Sequence, residues 1–146
     1  MPIKVAVENR DELRLIVYRY SGHIDQASVL ASVTHGVSHF ASHQPYRELL
    51  IFEHDTDLSG LNAEALTALH RKCEDLHQAL NPGSRTAAAM VDNSADAKMI
   101  MPLFNALSLK AGGTDFGFEL FAEVEPALRR LGVAVEEGLK IAARAT

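Results

Sequence analysis

The sequence predicts an α/β domain built on a mixed five-stranded sheet. Two observations carry this. Strand-like segments alternate with segments of helical period along most of the chain, and such alternation implies parallel strands joined by right-handed crossovers. Ahead of them, two strand-like segments lie close enough to form an antiparallel hairpin.

The first strand is Ile3 to Val7, where Ile3, Val5 and Val7 alternate with Lys4 and Ala6 at a period of two. A polar turn follows at Asn9 to Glu12. Leu13 to Tyr20 is the second strand. It is apolar on both sides, so it belongs inside the sheet. Gly22 ends it. Asp25 is the predicted N-cap of a first helix, with Ile24 and Val29 spaced as a hydrophobic staple. Leu30, Val33, Val37, Phe40 and Ala41 carry the helical period, and His43-Gln44-Pro45 closes it.

Leu49 to Phe52 is a short apolar run, as in a strand covered on both faces. After polar Glu53 to Gly60, the stripe Leu66, Leu69, Cys73, Leu76, Leu80 predicts a second helix, which Asn81-Pro82-Gly83 stops. Thr86 to Val91 reads as a strand. Ser94 is placed to cap a third helix through Ala97, Ile100, Met101, Phe104 and Leu107, broken at Gly112-Gly113. Phe116 to Phe121 is the last strand. Pro126 suits the first turn of a helix with Val124, Ala127, Leu128 and Leu131, ending at Gly132. Val133 to Thr146 is either a further short helix or a frayed tail. No linker or repeat divides the chain. Residues 1–146 therefore read as one domain, with a core over about 13–131 and a C-terminal tail at 132–146.

A chain of 146 residues buries enough surface to need no covalent staples. The single cysteine, Cys73, excludes an intramolecular disulfide and fits a reducing compartment. The net charge is −5 and no basic run exceeds Arg129-Arg130, which excludes a nucleic-acid-binding face. The N-terminus has no apolar signal-peptide core, and no segment is long and apolar enough to span a bilayer. A cytoplasmic location is expected.

In an open α/β sheet, ligands bind beyond the carboxyl ends of the parallel strands. The turns expected there are Ser21 to Asp25, Glu53 to Gly60 and Asp92 to Ser94. They gather His23, His54, Asp55, Thr56, Asp57, Ser59, Asp92 and Ser94. The same residue types also serve simply as helix caps and turn formers. A phosphoryl-accepting aspartate would need paired carboxylates, Mg²⁺ and a lysine, and the parts are missing. His35, His39 and His43 repeat every four residues, on a helical face turned away from the apolar stripe and with no acidic or thiol partner in phase. Cys73 lies within an apolar stripe, as a core residue does. No phosphate loop, dinucleotide fingerprint, nucleophile elbow or zinc motif occurs. No catalytic residue, metal ligand or cofactor is assigned.

Leu49-Leu50-Ile51-Phe52, followed by Asp57-Leu58-Ser59-Gly60-Leu61 at the approach to a helix, together with the element order, resembles the STAS domains. These include bacterial anti-sigma-factor antagonists and a divergent branch of uncharacterised relatives, to which this chain looks closer. The likeness covers about residues 13–131. It implies a serine at this turn that a partner kinase phosphorylates, and a surrounding surface that binds a protein partner. Asp57, Ser59, Gly60 and Leu61 match the family's turn, while Leu58 replaces one of its serines.

The resulting expectation is a non-enzymatic STAS-like regulatory or protein-binding module, with Asp55, Thr56, Asp57, Ser59, Asp92 and Ser94 as its binding or regulatory residues. One alternative is a small-molecule or lipid-binding domain, with an apolar pocket under Met99, Ile100, Met101 and Phe104. A second is a metal-dependent enzyme using His54 and the neighbouring aspartates. Homodimerisation through the edge strand at Ile3 to Val7, or through the tail, completes the set.

Overall fold

The computed structural model of the protein describes residues 2–10, 12–81, 85–92, 94–95, 98–99, 102 and 119–145. Its elements are β1 (Ile3–Glu8), β2 (Leu15–Tyr20), α1 (Gln26–Val37), β3 (Tyr46–Phe52), α2 (Ala63–Leu80), β4 (Arg85–Asp92), β5 (Glu119–Phe121), α3 (Val124–Arg130) and α4 (Val135–Arg144). Ala97, Ile100, Met101, Phe104 and Leu107 of the expected third helix lie outside the described residues. So do Gly112-Gly113 and the first part of the expected last strand.

The five strands lie side by side in chain order. β1 is antiparallel to β2, and every other neighbouring pair is parallel. This is the mixed sheet the sequence predicts. Because the order never reverses, right-handed crossovers place α1 and α2 on the same face. The other face is covered by α3 and α4. The period of two sorts side chains between the layers. Ile16, Tyr18, Tyr20, Leu50 and Phe52 face α1 and α2, whereas Leu15, Val17, Leu49 and Ile51 face α3 and α4.

Local chemistry sets the helix ends. Asp25 accepts the Ser28 N–H at 2.7 Å, and Ile24 and Val29 are buried on either side of the cap. α1 ends at Val37, well before His43. The hydroxyls of Ser32, Thr34 and Ser38 bond back to the carbonyls of Val29, Leu30 and His35. Such bonds compete with the helical ladder, and Gly36 weakens it further. Phe40 nevertheless reaches the core and stacks on Tyr46 at 5.3 Å. α2 starts at Ala63, where the Asn62 side chain accepts the Ala65 N–H at 2.8 Å.

Of the two readings of the tail, the structure takes the helix. Gly132 adopts φ +74°, its N–H donates to Arg129, and the Val133 N–H donates to Leu128 at 3.0 Å. This paired C-terminal motif turns the chain so that α4 packs back on the sheet. Ile141 and Ala142 are then buried with Ala6 and Leu15. The core thus extends past residue 131.

The layer under α1 and α2 holds polar groups that sequence reading left out. Glu48 is 2% exposed, and His70 and His77 are 7% exposed, so all three lie within the core. His77 Nε2 lies 3.7 Å from Glu48 Oε1, and its Nδ1 is 2.6 Å from the Tyr46 hydroxyl. With the proton on Nε2, facing the carboxylate, Nδ1 accepts from Tyr46. Burial, then the nearby Glu48 charge, holds the Tyr18 phenol well above its ordinary range. Asn81, at the end of α2, is buried and binds the Gln44 carbonyl and the His43 N–H.

Two glycines mark the tightest contacts between helices and their neighbours. A Cβ at Gly36 would lie 2.8 Å from the Tyr18 hydroxyl oxygen and 2.9 Å from Ile16 Cγ2. One at Gly138 would lie 2.6 Å from Leu128 Cδ2, on a fully buried side chain. Alanine at an unconstrained helix site gains up to about 1 kcal/mol. Overpacking costs about 1–3 kcal/mol, so Gly36→Ala and Gly138→Ala should both lower stability in urea. Gly138→Ala combined with Leu128→Val should lose less than the sum of the two single changes, because each relieves the other.

Candidate functional site

The expected rim at the carboxyl ends of β2 and β3 exists as a zipper of two turns. The Glu53 N–H donates to the Tyr20 carbonyl at 3.0 Å, just past the last strand pair. Further out, the Asp57 N–H donates to Gly22 at 2.8 Å, and the Ile24 N–H donates to Asp57 at 3.0 Å. His23 and Asp57 form an isolated parallel bridge there. Gly22, at φ +68°, supplies the left-handed turn that directs the chain back.

Asp57 organises the tip. One carboxylate oxygen accepts the Ser59 N–H at 2.9 Å, the side-chain-to-backbone turn typical of aspartate. The Ser59 hydroxyl also bonds this carboxylate, and the second oxygen lies 3.3 Å from His23 Nδ1. These contacts, the Ser59 hydroxyl first, pull the Asp57 carboxyl down to about 2. Leu58 and Leu61 are buried and anchor the turn from beneath. Ser59 and Gly60 are exposed.

The remaining expected residues divide by depth. Asp55 and His54 are exposed. Thr56 is buried and donates its hydroxyl to the Tyr20 carbonyl at 2.9 Å, so it braces the turn from inside. Asp92 ends β4 in register with Phe52, Ser94 is buried, and Asn93 lies outside the described residues. Glu53 pairs with Arg19, which also donates to the Ala142 carbonyl of α4, so the rim is tied to the opposite layer. His23 was placed on this rim by its sequence position alone. Its contact with Asp57 depends on the register between two turns, which no local pattern reveals.

The geometry limits the chemistry. A sheet whose strand order never reverses has no topological switch point. In its place is a shallow groove of about 400 Å³ between the N-termini of α1 and α2, lined by His23, Asp25, Gln26, Gly60, Asn62 and Glu64. A nucleophilic triad needs the histidine between serine and acid. Here the acid stands between serine and histidine, so the Ser59 hydroxyl is held by an acceptor and not aimed at a base.

Among the described residues, no group of three His, Cys, Asp or Glu is placed to hold a metal. His35 and His39 are neighbours, rings 4.9 Å apart, but His39 lies in the turn after α1 and its Nδ1 is 2.8 Å from the His35 carbonyl. His43 sits further on, at φ +66°. The three therefore do not share one helical face. Cys73 is half-buried against the core. Met99 is exposed, while Ile100, Met101 and Phe104 of the expected apolar pocket lie outside the described residues. No helix among the described residues is long and apolar enough to cross a membrane.

A carboxyl-carbon NMR titration of Asp57 should show a midpoint of about 2. An unfolded aspartate titrates near 3.9, so the contribution of these bonds is complete above that pH and is lost as pH falls towards the folded value. Asp57→Ala should shift the Ser59 amide and His23 ring resonances together, whereas movement of only one of them would break the proposed linkage. No family model matches this chain, and no curated protein matches it in sequence.

Proposed function

We propose that the chain is a cytoplasmic, non-enzymatic, STAS-like regulatory module. It binds a protein partner through the rim of Asp55, Asp57 and Ser59, and phosphorylation of Ser59 resets that binding. The reading rests on one observation. Ser59 is exposed on a turn whose amide and hydroxyl are both held by the Asp57 carboxylate, the amide at 2.9 Å.

A phosphate on that oxygen carries a charge of about −1.5 to −2. It cannot donate the bond the hydroxyl makes, and it repels the carboxylate beside it. The tether between Ser59 and Asp57 would open, and Asp57 would be left to His23. The surrounding surface already carries Asp25, Asp55 and Glu64, so added negative charge weakens the hold on a basic partner patch. Thr56 braces this surface from within, and the proposed rim extends to Asp92 and Ser94 at the end of the neighbouring strand β4.

The direct test is mass spectrometry of the protein isolated from its own cells, with partner recovery on wild-type, Ser59→Ala and Ser59→Asp chains. Phosphate at Ser59 is expected, with a partner retained by wild type and Ser59→Ala and lost by Ser59→Asp. An unmodified Ser59 under all growth conditions, with recovery unaffected by Ser59→Asp, would contradict the reading.

A further inference from the structure

The edge strand β1 has a backbone row that pairs with nothing in the sheet. The Pro2 carbonyl accepts the Ser21 N–H at 2.9 Å. By the alternation of an antiparallel ladder, Lys4, Ala6 and Glu8 then direct their backbone groups at β2, while Ile3, Val5 and Val7 direct theirs outward. An independent contact agrees, since Arg144 Nη2 donates to the outward Val7 carbonyl at 3.3 Å. Beside this row runs a shallow groove of about 260 Å³, with Val5, Ala6 and Val7 between His35 and His39 on one side and Arg144 on the other.

We propose that this edge pairs with the same edge of a second copy, antiparallel and centred on Ala6, and that Arg144 acts as the guard which must move aside. The register follows from the side chains. Centred on Ala6, the outward backbone groups of Val5 meet those of the partner's Val7, and the reverse, giving a ladder across the two-fold axis. Val5 and Val7 then also lie side by side on the face of α1, where both are partly buried apolar residues. On the opposite face, Lys4 stands directly across from the partner's Glu8. Lys4 is exposed and makes no ion pair among the described residues. The small Ala6 sits on the axis.

A register shifted to centre on Val5 would place Lys4 opposite Ala6, without this match of opposite charges. Opposite charges directly across an antiparallel pair favour it, and like charges disfavour it. In the single copy, Glu8 is shared by Arg10 at 3.5 Å and Arg144 at 3.6 Å. Arg144 therefore holds both the Val7 carbonyl and the carboxylate that the partner's Lys4 would use. An arginine over an open edge is a known way of restraining strand addition. Because Arg144 is half exposed, its hold on the edge is weak.

Sedimentation velocity of the full chain over a concentration series tests this. Wild type should show a concentration-dependent dimer, and Arg144→Ala should tighten it about fivefold, the size of one exposed charge contact. Val5→Pro removes only an outward N–H and should abolish the dimer while leaving the β1–β2 ladder complete. Lys4→Glu and Glu8→Lys should each sediment as monomers alone, and an equimolar mixture of the two should dimerise, since both cross-strand pairs are then of opposite sign. Monomers at every concentration for both wild type and Arg144→Ala would overturn the proposal. So would a dimer that either charge reversal leaves intact, or variants that stay monomeric when mixed.

Discussion

A strand covered on both faces cannot move without disturbing both layers, and β3 is such a strand. Leu49 and Ile51 are sealed under α3 and α4, and Leu50 and Phe52 under α1 and α2. Even its glutamate, Glu48, is buried and faces His77. Burying a carboxylate is costly unless it is paired and hydrogen-bonded. The Tyr46–His77–Glu48 cluster supplies partners within the layer itself, and it ties β3 to the last turn of α2. The turn that follows Phe52 starts from this anchorage, since the Glu53 N–H continues the pairing to Tyr20.

The rim inherits its order from the same strand. β2 and β3 are paired in register to their last residues, and the pairing resumes beyond them at His23 and Asp57. The turn at Ser59 is thus an extension of the sheet and not a free loop. Its tip is polar and exposed while Leu58, Leu61 and Thr56 hold it from below. That combination of a fixed base and an accessible hydroxyl suits recognition by another macromolecule. Among the described residues, the groove beside this turn is shallow, which suits a broad contact better than an enclosed small ligand.

Much of the fold was legible from period and punctuation. The alternation at Ile3 to Val7, the apolar run Leu49 to Phe52 and the α2 stripe each became the element they announce, because burial on one face or two imposes those periods directly. Asp25 with Ile24 and Val29 was legible for the same local reason. The early end of α1 was not, since three hydroxyls had to be weighed against a continuing apolar pattern. Glu48 also went unread. It occupies the same phase as Tyr46, Leu50 and Phe52, but a charged residue next to an apolar run reads as the strand's boundary. The site was legible as a list of turn residues, and Thr56 shows the limit of such a list, because its inward hydroxyl depends on the tertiary position of Tyr20.

The central claim is that the rim is preformed by the paired turns. Native-state amide hydrogen exchange of the isolated chain tests it most directly. The Asp57 and Ile24 amides, both in the bridge between turns, should exchange far more slowly than the amides of exposed Ser42 and Asp55, which lie in turns and donate to no group among the described residues, and close to the rate of the outer residues of β3. If Asp57 and Ile24 exchange as fast as those turn amides while β3 remains protected, the sheet does not extend into the rim and the account fails.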